Sequence, residues 1–177
     1  VDYQITSLDV DSHGLVDPAA VAKAITDQTI LITIQMANNE IGTLQPIADI
    51  AKIAKAKKVT FHTDAVAAAG IIPINVKEIG VDLLSLAANQ FNGPNGVGAL
   101  YIRRGTGIWP LIEGGVLENR KRAGTENVVG IVGLGMAAEM ARLEMPERLA
   151  TFHALRQKLI QGLQERIPHL VFNGHPT

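Results

Sequence analysis

The chain has 177 residues, 47% of them hydrophobic, no cysteine, and 16 basic against 17 acidic side chains. Those numbers suffice for one domain with a sizeable core, residues 1–177, and a formal charge of -1 leaves no basic excess to neutralise a polyphosphate backbone, so nucleic-acid binding is not expected. Disulfides, thiolate metal sites and a cysteine nucleophile are excluded within the chain, and no apolar run reaches the roughly 18 to 20 residues that cross a bilayer.

The chain starts at Val1-Asp2-Tyr3-Gln4, with no basic or apolar leader, and reads like the middle of a larger scaffold in the cytoplasm. Ile5 to Val10 is a strand candidate. Turn-rich Asp11-Ser12-His13-Gly14 follows, and Asp17-Pro18 predicts a helix N-cap with proline at the first helical position, the helix running to about Ile25. Ile30 to Ile34 is a β-branched run of the kind buried on both faces of a parallel sheet. Pro46 opens a helix with Ile47, Ile50, Ala51 and Ala54 as its apolar stripe, and Lys52, Lys55, Lys57 and Lys58 load its later, solvated turns.

Val59 to Phe61 begins another strand ending at Asp64, and Leu83 to Leu86 repeats the pattern before Asn89-Gln90. Gly93-Pro94-Asn95-Gly96 is a tight turn into a strand from Val97 to Ile102. Small apolar residues from Asn127 to Ala141, with Gly130, Gly133 and Gly135, predict a buried helix, and Pro146 starts a second, amphipathic helix with Leu149, Phe152, Leu155, Leu159 and Leu163. The final Asn173-Gly174-His175-Pro176-Thr177 reads as a turn leading elsewhere. Strands alternating with helices predict an α/β fold: a largely parallel sheet flanked by helices.

Ligands of open parallel sheets collect beyond the carboxyl ends of strands, which directs attention to Asn38-Asn39-Glu40, His62-Thr63-Asp64 and Asn89-Gln90. The Asp64 carboxylate calls for a donor or cation, and a protonated heteroaromatic nitrogen and the N-cap of a following short helix are both open; small residues from Ala65 to Gly70 would let a flat ligand approach. Asn38 and Asn39 also fit a strand-end Asx turn, and His62 a hydrogen-bonded, half-buried histidine. No Gly-x-Ser-x-Gly elbow is present and Ser85 lies inside an apolar strand, against a serine hydrolase. The five histidines show no His-x-x-x-His spacing, so no metal is expected. Gly114-Gly115 and Arg120-Lys121-Arg122-Ala123-Gly124-Thr125 offer either an anion site or a solvated charged loop.

The stretches "DSHGLVDP", "ANNEIGTLQPI", "FHTDAVAAAG", "VDLLSLAANQFNGPNGVGALYIRRG" and "RAGTENVVGIVGLG" together resemble the cysteine desulfurases, class V aminotransferase-type enzymes that use pyridoxal phosphate (PLP). The resemblance implies the large domain of fold-type I PLP enzymes, sulfur transfer from L-cysteine for iron–sulfur cluster assembly, a homodimer, and an iron–sulfur scaffold or sulfur acceptor as partner. It places Asn38 and Asn39, the latter favoured by register, near the cofactor. It assigns Asp64 to the pyridine nitrogen and Thr125 to a phosphate across the dimer interface.

The match departs from the family where the chemistry is done. Gln90 stands at the position of the Schiff-base lysine and Asn89 at that of the preceding histidine; Ala87 replaces a phosphate-binding serine and Ala67 a cofactor-contacting glutamine. An amide is neither basic nor nucleophilic, so no residue here takes the catalytic role. The family's ring-stacking histidine would precede Val1, and the small domain with its persulfide-forming cysteine would follow Thr177. The expectation is a desulfurase-like chain inactive alone; a non-catalytic scaffold or regulatory domain, and a fragment of an enzyme using PLP non-covalently, remain as alternatives.

Overall fold

The computed structural model describes residues 2–176. Its centre is a four-stranded sheet of order β1 (Leu31–Gln35), β2 (Thr60–Asp64), β3 (Leu83–Ala87), β4 (Gly98–Ile102). The first three strands run parallel and β4 runs antiparallel to β3. The helices are α1 (Pro18–Ala24), α2 (Ile47–Lys57), α3 (Val76–Ile79) and α4 (Val128–Gln164). The expected largely parallel α/β sheet with flanking helices is what forms.

Alternation along the strands divides the sheet into two unlike faces. Ile32, Phe61 and Leu84 point to one side and join Val21 of α1 and Ile47, Ile50, Ala51 and Ala54 of α2 in the main core, with Val76 and Ile79 of α3 packed against it. The predicted stripe of α2 is thus buried as a unit, and its C-terminus is closed by Lys58 in the left-handed conformation. The other face carries Thr33, His62, Asp64 and Ser85, all exposed or half-buried. At the edge of the sheet, β1 is buried on one face only and Leu31 is exposed, which corrects the expectation of burial on both faces.

Asp17 caps α1 as predicted, its carboxylate accepting from Ala19 N at 2.8 Å. The strand expected at Ile5 to Val10 does not form. Ile5 is 90% exposed, and Val10 makes only an isolated bridge to Val16, so this extended segment has no neighbouring strand to complete its backbone hydrogen bonds. The short α3, capped by Asn75 at Lys77 N, gave no periodic signal long enough to predict.

The expected division into two helices at Pro146 is also corrected: α4 is one helix of 37 residues with Pro146 inside it, about 55 Å long at the usual rise. An ion pair from Arg148 to Glu144, 2.6 Å, spans the proline on the outside of the helix and ties the turns together where a backbone hydrogen bond is lost. Nor is the first half buried throughout. Ala137 and Ala141 pack with Ala69 and Phe91 in a second small cluster, while Val129, Val132 and Met136 are exposed. Gly133 serves that packed side, since a Cβ there would stand 2.5 Å from Pro94 Cγ; across the contact, a Cβ on Gly70, which also has φ +78°, would stand 2.5 Å from Phe91 Cβ.

The sheet's far edge is locked by Arg103, just beyond β4. Its guanidinium donates to the carbonyls of Gly80 and Val81, the latter at 2.9 Å from Nη2, and lies 3.3 Å from Asp82 Oδ1. The second oxygen of Asp82 accepts from Phe61 N at 2.9 Å. The final turn packs against the first loops: His175 N donates to Thr43 Oγ1 at 3.1 Å, and the His13 and His175 rings meet edge to face at 5.7 Å. Val1 and Thr177 lie outside the described residues.

Candidate functional site

The carboxyl ends of β1, β2 and β3 share one edge, and register brings Gln35, Asp64 and Ser85 into a row across it. Backbone bonds carry the chain past that row: Met36 N donates to Asp64 O at 2.7 Å and Ala65 N to Ser85 O at 2.9 Å. Of the three polar clusters singled out in the sequence, Asn38-Asn39-Glu40 and Asn89-Gln90 follow these strand ends, and His62-Thr63-Asp64 forms the last three residues of β2.

Asp64 is exposed, and its Oδ1 accepts from Val66 N at 2.8 Å. The carboxylate therefore caps a turn rather than the short helix expected as one alternative, since residues 66–71 form consecutive turns. Ala65 and Ala68 of this stretch are buried in the main core and Ala69 in the second cluster, so their small size serves packing of the sheet edge.

Asn38 behaves as an Asx turn: its Oδ1 accepts from Glu40 N at 2.9 Å and Ile41 N at 3.0 Å, fixing the loop that Ala37 and Leu44 close as an antiparallel bridge. Asn39 is exposed at the tip of that loop. Asn89 and Gln90 are exposed in a 3-10 turn, Ala88–Phe91, which leaves β3 and is anchored by buried Ala88 and Phe91 and closed by Asn92 at φ 65°. Thr125 stands apart, exposed in the segment before α4; among the described residues no hydrogen bond ties it to the strand ends.

The basic loop is built around backbone strain. Glu118, Asn119 and Arg120 all have positive φ, 47°, 53° and 64°. Arg122 turns its guanidinium onto its own chain, Nη1 donating to Ala123 O at 2.6 Å, which favours the solvated-loop reading over an anion site. No group of three or more His, Asp or Glu side chains among the described residues could hold a metal ion, and no helix among them is long and apolar enough to cross a membrane.

What sequence reasoning missed is how His62 is satisfied. Its Nδ1 lies 2.7 Å from Thr33 Oγ1 and its Nε2 2.8 Å from Ser85 Oγ, so one imidazole bridges three parallel strands. The signal was available as polar residues at face-matched positions of three strands. Burial pushes the His62 pKa down, with the Asp64 charge pulling the other way. A folded-state pKa below the unfolded value near 6.5 means that the unfolded chain takes up the proton first. The contribution of His62 to stability is therefore complete above about pH 6.5 and fades as pH falls through the lowered folded value. Melting temperature measured between pH 7.5 and 5 should decline on the acid side, and His62→Gln should flatten that part of the profile.

The aminotransferase class-V family model matches residues 1–177. A cysteine desulfurase IscS of Methanosarcina thermophila is 54% identical over 175 residues, 99% of this chain and 43% of that protein. Another, of Dictyoglomus turgidum, is 55% identical over 172 residues, 97% of this chain and 44% of the relative. A solved NifS-like protein superposes with a TM-score of 0.89 at 42% identity, covering 92% of this chain and 45% of that one. The chain thus spans somewhat under half the length of the relatives it matches. It belongs to the aminotransferase class-V family, among its cysteine desulfurase-like members, whose cofactor is pyridoxal phosphate.

Proposed function

We propose that this chain is a cysteine desulfurase-like domain that keeps the part of the site facing a pyridine nitrogen and lacks the amine for covalent attachment, so that by itself it releases no sulfur from cysteine. One observation carries the reading: Gln90 occupies the exposed turn leaving β3, where the resemblance puts the family's lysine. An amide nitrogen shares its lone pair with the carbonyl and can neither condense with an aldehyde nor shuttle a proton.

The residues present fit the ring of pyridoxal phosphate and do not fit its aldehyde. Asp64 offers an exposed carboxylate at a strand end, suited to a charge-assisted hydrogen bond with a protonated ring nitrogen. When bound, the cofactor supplies an electron sink, which Asp64 would favour by keeping that nitrogen protonated. Asn39, free of the loop bonds that occupy Asn38, is the asparagine available to the ring. Thr125, outside the strand-end row, suits a phosphate of a partner subunit. The same reading carries a homodimer, an iron–sulfur scaffold or sulfur acceptor as partner, and a cytoplasmic location.

Incubated with PLP and L-cysteine, the chain should yield sulfide no faster than a protein-free blank. Calorimetric titration with pyridoxine 5′-phosphate, which lacks the aldehyde and so cannot label surface lysines, should show binding. Asp64→Ala should weaken it roughly ten- to a hundredfold, the worth of a hydrogen bond to a charged group. Sulfide above the blank, or an affinity indifferent to Asp64, would contradict the proposal.

A further inference from the structure

The open face of the sheet holds one continuous polar connection, and it ends beside the candidate site. Thr33, His62 and Ser85 are joined by bonds of 2.7 and 2.8 Å across β1, β2 and β3. Thr33 pairs in register with His62, and Ser85 pairs with Asp64, so the imidazole reaches diagonally to the residue beside the carboxylate. Because a neutral imidazole has one donor and one acceptor nitrogen, one hydroxyl must accept a hydrogen bond from the ring and the other donate one to it, which makes the chain directional and fixes the ring plane.

We propose that His62 is a positioning residue for a ligand held at Asp64: through Thr33 and Ser85 it fixes the strand ends so that the Asp64 carboxylate is presented at one orientation on the open face. The proposal rests on the reading of Asp64 as the partner of a pyridine nitrogen. His62 touches no ligand in this account; it acts through the strands and through its charge state. Burial pushes the His62 pKa down, which disfavours a second cation beside the carboxylate.

A histidine that only staples strands would weaken the fold without regard to Asp64, and a double-mutant cycle separates the two roles. Affinity for pyridoxine 5′-phosphate is measured for the unaltered chain, His62→Phe, Asp64→Asn and the double variant, at a temperature well below every melting point. Loss of about tenfold on His62→Phe when Asp64 is present, and less than about twofold when it is Asn, is the expected coupling. His62→Gln, which can still donate and accept, should recover most of the loss. Equal losses in both backgrounds would overturn the positioning role.

The carboxyl carbon of Asp64, observed by NMR in the ligand-free protein, tests the same claim without ligand. Its resonance should move in His62→Phe and return in His62→Gln. An unmoved signal overturns the proposal even where the ligand binds; absence of binding by the unaltered chain, with the signal moving as expected, removes the pyridine reading and leaves the positioning of Asp64 standing.

Discussion

Gln90→Lys is expected to create a covalent attachment point for PLP where the unaltered chain has none. After borohydride reduction and peptide mapping, label at position 90 should exceed that at any native lysine by about tenfold, since an amine held at a preformed site reacts with a high effective concentration. Lys52, Lys55, Lys57 and Lys58 lie on the exposed side of α2 or at its end and provide the internal reference for random labelling. The same variant should still release no sulfide from cysteine. On the resemblance, Asn89, Ala87 and Ala67 would still stand in place of the family's histidine, serine and glutamine, and the chain contains no cysteine to accept sulfur. Labelling at position 90 no greater than at Lys52 would mean that the turn after β3 does not face the aldehyde, and the account of the site would fall with it.

Arg103→Ala should destabilise the fold while leaving ligand affinity intact. Its guanidinium closes the sheet edge opposite the strand ends, holding the carbonyls of Gly80 and Val81 and the carboxylate of Asp82, which in turn holds Phe61 N. Removal leaves these acceptors and a partly buried charge without their donor, at a cost of about 2 to 4 kcal/mol. For a chain of this size that corresponds to a melting temperature lower by roughly 5 to 15 °C. Arg103→Lys keeps the charge but cannot span three acceptors and should recover less than half. Thermal denaturation read by circular dichroism measures the shift, and a change under about 2 °C would show that the edge is held elsewhere.

The parts of the fold written in short-range chemistry were legible in the sequence. Asp17-Pro18 announced α1, the spacing of Ile47, Ile50, Ala51 and Ala54 announced α2, and the apolar runs before Asp64 and Asn89 became strands whose ends share an edge. What failed depended on neighbours that spacing does not encode. Ile5 to Val10 has strand composition but no strand beside it. Pro146 reads as a helix start, yet α4 runs through it, with the Arg148–Glu144 pair spanning the proline. At the candidate site the strand-end asparagines and carboxylate could be located, and the Asx turn of Asn38 was among the open readings. The rung through His62 was missed because it joins residues 29 and 23 positions away, a distance at which only strand register makes them adjacent.

The edge position of β1 has a consequence for the molecule in solution. Leu31 to Gln35 is a short β-branched, uncharged sequence, and its backbone is paired on one side only, with β2. Natural sheets guard such borders with lysine, proline or a bulge, and none of these interrupts LITIQ. With Leu31 exposed beside it, the border is a template onto which another extended strand can be added. Crowding copies of these 177 residues should therefore favour strand-to-strand association along β1, and a charge placed at Leu31 should oppose it.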